Sequence, residues 1–260
     1  MNLLNGFSID LTGIDGRKLK DSHFATFNSL MRKTCGPDIE IESIVRLRSK
    51  KNLVLHIVYT SATESETSSL IAKLFVADTY QNELDRLSTS FENGLTVPRI
   101  IAAQDGVILM EFIQGEPLVD RINRTFELTT VETLAEWYYK YHQIHNRIKG
   151  DPRLRNFIWN NGQIFGLDFE ESRKGNWMLD IAGVGASILD TDPIFDARKR
   201  VLTWSLLDHY LGLRNIERTS KVENMFLETL ADTLAQTAEW RNDDRIMQLS
   251  NQIRQEGLVV

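Results

Sequence analysis

Three oxygen-bearing side chains crowd into residues 148 to 172, IKGDPRLRNFIWNNGQIFGLDFEES: Asp151, Asn156 five positions later, and Asp168. Between the last two stands Asn161-Gly162, a strong two-residue hairpin signal, so FIW and QIFGL pair and carry Asn156 towards Asp168. An amide carbonyl and a carboxylate are hard oxygen ligands. They suit Mg²⁺, which keeps part of its water shell and binds substrate phosphates. Asp151 is then left to accept a proton from a hydroxyl. An Asp before Pro152 is also a common way to begin a turn, and alone it would mean no more than that. Its coincidence with Asn156, Asp168 and the hairpin favours chemistry.

Several elements must hold such a group in place. DSHFATFNSLMRKT (21–34) has apolar residues at helical spacing and stops at Gly36-Pro37. IEIESIVRLRS and NLVLHIVYT read as a β-hairpin, and TSATESETSS (60–69) as a polar loop. In LIAKLFV (70–76), Leu70, Ala72, Leu74 and Val76 share one face, and Ile71, Lys73 and Phe75 the other. A helix follows, with Asp78 as N-cap and an apolar stripe of Tyr80, Leu84, Leu87 and Phe91. VPRIIAA and GVILMEFI are two more strands, and QGEPL (114–118) is the expected hinge.

Beyond it VETLAEWYYKYHQIH, IAGVGASIL, ARKRVLTWSLLDHYL and VENMFLETLADTLAQTAEW read as helices. The expectation is an α+β protein of two lobes with a cleft: residues 1–113, small, β-rich and with one key helix, and residues 114–260, larger and mainly helical.

Composition narrows the classes. A chain of 260 residues with 42% hydrophobic and 25% charged content is an ordinary globular protein. Net charge of −6 argues against a general nucleic-acid partner, because neutralising phosphates needs clustered Lys and Arg. RLRSKKN (46–52) is a local basic patch that suits a small anion. One cysteine, Cys35, excludes an internal disulfide. MNLLNGFSIDLTGIDG does not read as a signal peptide and no apolar window is long enough to span a bilayer, so a cytoplasmic location without a membrane partner is expected.

Asp151-x4-Asn156, a short hairpin, then Asp168-Phe169-Glu170, resembles the catalytic core of the protein-kinase-like superfamily. It looks most like the aminoglycoside phosphotransferase and choline kinase group, whose usual form is His-Gly-Asp-x4-Asn followed by Asp-Phe-Glu or Asp-Phe-Asp. Here Lys149 stands in the place of that His, and the SKKN loop has no glycine. The resemblance covers residues 40 to 190. It implies a kinase-like fold, ATP and Mg²⁺ as cofactors, and transfer of the γ-phosphate to a hydroxyl of a small molecule.

By the same resemblance Asp151 is the base, Asn156 and Asp168 hold magnesium, and Glu170 is a further metal contact. Lys73 meets the ATP phosphates and pairs with Glu83, or failing that Glu92. Ser49 and Lys50 belong to the nucleotide loop, and backbone groups near Glu111 and Ile113 meet adenine. Asp180, in WMLDIAG, holds the catalytic-loop backbone.

Arg153 and Arg155 flank the loop, and either suits the transferring phosphate or is plain surface charge. A surface role is the alternative for Lys73 and for Glu83, while His142 and His145 read as packing or capping residues. The rival functions are a small atypical protein serine/threonine kinase, or a pseudokinase that binds nucleotide or a partner. Only about eleven residues separate Asp168 from Asp180, too few for a peptide-docking activation segment. A small acceptor is therefore expected over a protein one.

Overall fold

The computed structural model describes residues 3–4, 19–49, 51–61, 64–76 and 78–259. Lys50 and most of the N-terminal stretch weighed as a leader lie outside these residues. The chain divides into two compact units, Met1–Phe91 with Pro98–Ile113, and Glu92–Val97 with Gln114–Val260.

In the first unit helix α1 (Asp21–Cys35) precedes strands β1 (Glu40–Leu47), β2 (Leu53–Ser61) and β3 (Glu64–Leu74). Helix α2 (Tyr80–Glu92), β4 (Ile100–Gln104) and β5 (Val107–Glu111) follow. The strands form one antiparallel sheet in the order β1-β2-β3-β5-β4. Alternation fixes its faces: Leu53, Leu55 and Ile57 of β2 and Leu70, Ala72 and Leu74 of β3 are buried with Phe27, Leu30 and Met31 of α1. Helix α1 ends where Gly36 takes φ +108° and returns its N–H to the Arg32 carbonyl.

Two expectations need correction here. Much of the polar run 60–69 is strand, not loop. Tyr59 faces Ser68 and Val58 faces Ser69. The ladder is made by backbone groups, so it continues past the apolar face that the side-chain pattern reports. Helix α2 starts at Tyr80, and the Glu83 N–H bonds the Thr79 carbonyl at 3.1 Å, so Thr79 and not Asp78 has the cap position.

The second unit begins with a two-residue strand β6 (Glu116–Pro117), then α3 (Leu118–Thr125) and α4 (Leu128–His145). A 3-10 turn at Leu154–Asn156 leads to β7 (Phe157–Asn160) and β8 (Gln163–Gly166). Four helices complete it: α5 (Met178–Leu189), α6 (Ala197–Leu213), α7 (Ser220–Arg241) and α8 (Asp244–Glu256). The segment read as a hinge thus carries β6 and the first residue of α3. β6 pairs with β7 through Glu116–Trp159 and Pro117–Ile158.

Helix α4 packs on α6, α5 on both α6 and α7, and α7 on α8. Every residue of α5 except Leu179 is buried, as its continuous apolar run requires. No helix among the described residues is long and apolar enough to cross a membrane.

Candidate active site

The Asn161-Gly162 turn is made by Asn161 at φ +47° and Gly162 at φ +82°, both left-handed, as a two-residue hairpin turn of this kind demands. β7 and β8 then pair from Phe157–Gly166 to Asn160–Gln163. One step outside the ladder the Leu167 N–H donates to the Asn156 carbonyl at 2.8 Å. Asn156 and the residue before Asp168 are therefore joined by backbone.

A second tie is made by Lys149, whose side chain is fully buried. Its ammonium donates to the Asp168 carbonyl at 2.8 Å and to the Asp151 carbonyl at 3.3 Å. It lies 5.4 Å from the centres of both the Phe157 and Phe169 rings. One cation thus clamps the main chain of Asp151 to the main chain of Asp168, with two ring faces easing its burial. Asp168 itself is held at φ +60°, a conformation uncommon for residues other than glycine, though less so for Asp. Backbone bonds between Ile148 and Arg173 fasten the same two segments further back.

Asp180, at the first turn of α5, holds the loop at Lys149–Gly150 from the other side. Its carboxylate accepts from the N–H of Lys149 at 2.6 Å and of Gly150 at 3.0 Å. His142 Nε2 is 2.9 Å from the same carboxylate, and His142 Nδ1 is 2.7 Å from the Tyr210 hydroxyl. The interior pushes the Tyr210 hydroxyl up to about 12, against the pull of Arg214, so it stays protonated. The loop before Asp151 is therefore tied to α4, α5 and α6 at once.

The side chains that would do chemistry fall as follows. The Asn156 amide donates to the Asp151 carbonyl at 3.1 Å, which leaves its carbonyl oxygen as the end available to a metal. Carboxylate oxygens of Asp168 and Glu170 come within 4.8 Å of one another. Both are half-buried. This is the hard, all-oxygen donor set that Mg²⁺ prefers, with too few protein ligands to displace all its water. Asp151 is half-buried and faces Arg153, whose Nε is 3.3 Å from its Oδ1. Arg155 is exposed.

In the first unit Lys73 and Glu83 make a buried ion pair at 2.6 Å, with side chains 7% and 2% exposed. Lys73 is therefore no surface lysine, and Glu92, the other partner considered, is exposed at the end of α2. Ser49 caps the β1–β2 turn, its hydroxyl accepting from the Asn52 N–H at 3.2 Å. The Glu111 N–H is spent on the Arg99 carbonyl at 2.9 Å, so any base contact there must use another group. Ile113 lies just past β5 and is half-buried.

Asp180 makes the backbone bonds that the resemblance implies for it, while His142, expected to pack or cap, and Lys149, in the place of the usual His, add ties to the loop that no spacing marks.

No protein-family model matches the sequence, and no curated protein matches it. Solved structures do match, across both units. An amicoumacin kinase in complex with AMP-PNP, Ca²⁺ and Ami has a TM-score of 0.62 at 14% identity, covering 90% of this chain and 93% of that one. Choline kinase from Cryptosporidium parvum has a TM-score of 0.57 at 13% identity, over 90% and 97%. Plasmodium vivax ethanolamine kinase has 0.61 at 10% identity, over 99% and 92%. Likeness at these identities shows the fold alone: the chain has the α+β fold of these kinase structures.

Proposed function

We propose that the chain is an ATP- and Mg²⁺-dependent phosphotransferase that moves the γ-phosphate to a hydroxyl of a small molecule. The carrying observation is the clamp around Asp151, Asn156 and Asp168, in which Lys149, Asp180 and the β7–β8 hairpin hold base and metal ligands by their backbones. Phosphoryl transfer asks for such placement more than for covalent participation.

In this reading residues 1–113 bind nucleotide and residues 114–260 supply catalysis and the acceptor site. Asn156, Asp168 and Glu170 would hold Mg²⁺, which would supply charge neutralisation for the phosphates. Lys73, kept in place by Glu83, contacts the phosphates, helped by Ser49 and Lys50, while the main chain at Glu111 and Ile113 meets adenine. Asp151 takes the proton of the acceptor hydroxyl as its oxygen bonds the γ-phosphorus and the bond to ADP breaks. Arg153, beside Asp151, lends charge to the group in transit in this reading.

The named activities of the structural neighbours, on amicoumacin, choline and ethanolamine, support a small acceptor over a protein. So does the short path from Asp168 to α5, which begins at Met178. A soluble, cytoplasmic enzyme without nucleic-acid partners fits this reading.

Thermal melts and turnover test it. ATP with Mg²⁺ should raise the melting temperature, by the equivalent of about 2.7 kcal/mol at a hundredfold excess over Kd. Asp168→Ala should abolish that Mg²⁺-dependent shift. Asp151→Asn should keep it and lose transfer. No shift at millimolar nucleotide and metal, or equal loss in both variants, would defeat the assignment.

A further inference from the structure

We infer that Asn52 is a positioning residue for the nucleotide: it fixes the β1–β2 turn to the end of the strand that carries Lys73, and through that turn sets how tightly the phosphates bind. The inference rests on the phosphotransfer reading above and adds a residue to it.

An asparagine amide is costly to take out of water, yet Asn52 is fully buried. It stands at the foot of the β1–β2 turn, immediately before Leu53 opens β2. Burial of this kind calls for partners. The Asn52 Oδ1 accepts from the Val76 N–H at 2.9 Å, 24 positions away. Its own N–H donates to the Ser49 hydroxyl at 3.2 Å. The main chain of Asn52 therefore closes the turn, and its side chain fastens that turn to β3.

The point of attachment matters for the phosphates. The last ladder residue of β3 is Leu74, paired with Leu53 on one side and Val107 on the other. Past it the Phe75 N–H turns to the Gly106 carbonyl at 2.8 Å, and the Val76 N–H to Asn52. The Asn52 amide thus takes up the β2–β3 pairing where the backbone ladder stops. Lys73 lies just inside that end, opposite Val54, with its ammonium 4.9 Å from the centre of the Phe75 ring. One bond joins the turn and the lysine strand.

The composition of the turn explains the need for it. SKKN has no glycine to bring bare backbone close to a phosphate. Its shape comes instead from side chains bonded to main chain, at Ser49 and Asn52. A loose turn would have to be ordered by the nucleotide, and the entropy lost would weaken binding. A turn fastened beforehand avoids that loss.

Asn52→Ala and Val76→Pro break the same bond, one from each end. Each should raise the Kd of ATP with Mg²⁺ about tenfold, the worth of one buried hydrogen bond, by calorimetry well below the melting temperature. Adenosine, which has no phosphates, should bind both variants as it binds the parent. Asn28→Ala is the structural control. Asn28 also makes ties within the first unit, its Oδ1 accepting from the Leu3 N–H at 2.6 Å and its amide donating to the Phe24 carbonyl at 2.6 Å. Its loss should lower the melting temperature and leave the Kd of ATP unchanged. Should Asn52→Ala fail to fold, Val76→Pro carries the test, because it leaves the amide in place.

An unchanged Kd for ATP in a folded variant, equal weakening of adenosine, an equal rise in Asn28→Ala, or failure of both variants to fold would each overturn the inference. Absence of any nucleotide-dependent melting shift in the parent would instead overturn the phosphotransfer reading beneath it.

Discussion

At the scale of single residues, Lys149 carries the most unexpected role. A fully buried ammonium ordinarily costs more to desolvate than its partners return, and here it serves two carbonyls and two aromatic faces. Lys149→Met keeps the length of the side chain and removes the charge. Stability should change by no more than about 1–2 kcal/mol, because the lost hydrogen bonds are offset by relief of the buried charge. Activity should fall roughly 10- to 100-fold, and half-maximal rate should need more Mg²⁺, as when a supporting partner of a metal ligand is removed. A fall in melting temperature with kcat and the Mg²⁺ requirement both unchanged would show that Lys149 merely fills space. Nothing in the sequence marks this role. Lys149 lies 19 positions from Asp168 and His142 lies 38 from Asp180, and neither residue type is diagnostic without the fold. Asp151, Asn156 and Asp168 were legible because spacing and a hairpin signal carry them.

At the scale of elements, the loop and hairpin around Asp151 and Asp168 depend on two glycines that only the structure tells apart. Gly150 and Gly162 have φ +88° and +82°. A Cβ at Gly162 would meet nothing within 4 Å, whereas one at Gly150 would lie 2.2 Å from the Glu171 carbonyl oxygen. Gly162→Ala should therefore cost only the left-handed penalty, about 1–2 kcal/mol. Gly150→Ala adds a clash with main chain that cannot move without pulling the Lys149 tether, bringing the cost to roughly 2–4 kcal/mol. Chemical denaturation of the two variants checks the ranking, and equal costs would mean that the loop gives way freely. Elements were legible where one face is buried. Alternation reported β2 and β3 near Leu55 and Ala72 and stopped reporting at Ser68, where both faces meet solvent. Helix α3 was hidden behind Glu116-Pro117, which looks like a turn. Helix α8 passed unread because it is mostly polar, with Ile246, Ser250 and Ile253 its buried residues.

At the scale of the whole molecule, the burial of Asp190 at the end of α5 sets a pH dependence. Burial pushes the Asp190 carboxyl from 3.8 up to about 6, and Arg241, Arg153, Lys199 and Arg155 only partly pull it back. Its Oδ1 has no hydrogen-bond partner, which fits a carboxylate kept short of full stabilisation. Between about pH 4 and 6 the folded protein then holds a proton at Asp190 that the unfolded chain has released. Stability from this group must therefore fall as pH rises through that window. A displacement of this size corresponds to about 3 kcal/mol. Asp190→Asn cannot titrate, and its loss of the ion pair with Arg241 enters as a nearly constant offset once the acid is ionised. The stability of the variant relative to the parent should thus improve by up to about 3 kcal/mol between pH 4 and pH 7.5. Urea unfolding of both proteins across that range measures it, and a gap that stays flat or moves the other way would show that the arginines hold Asp190 ionised throughout.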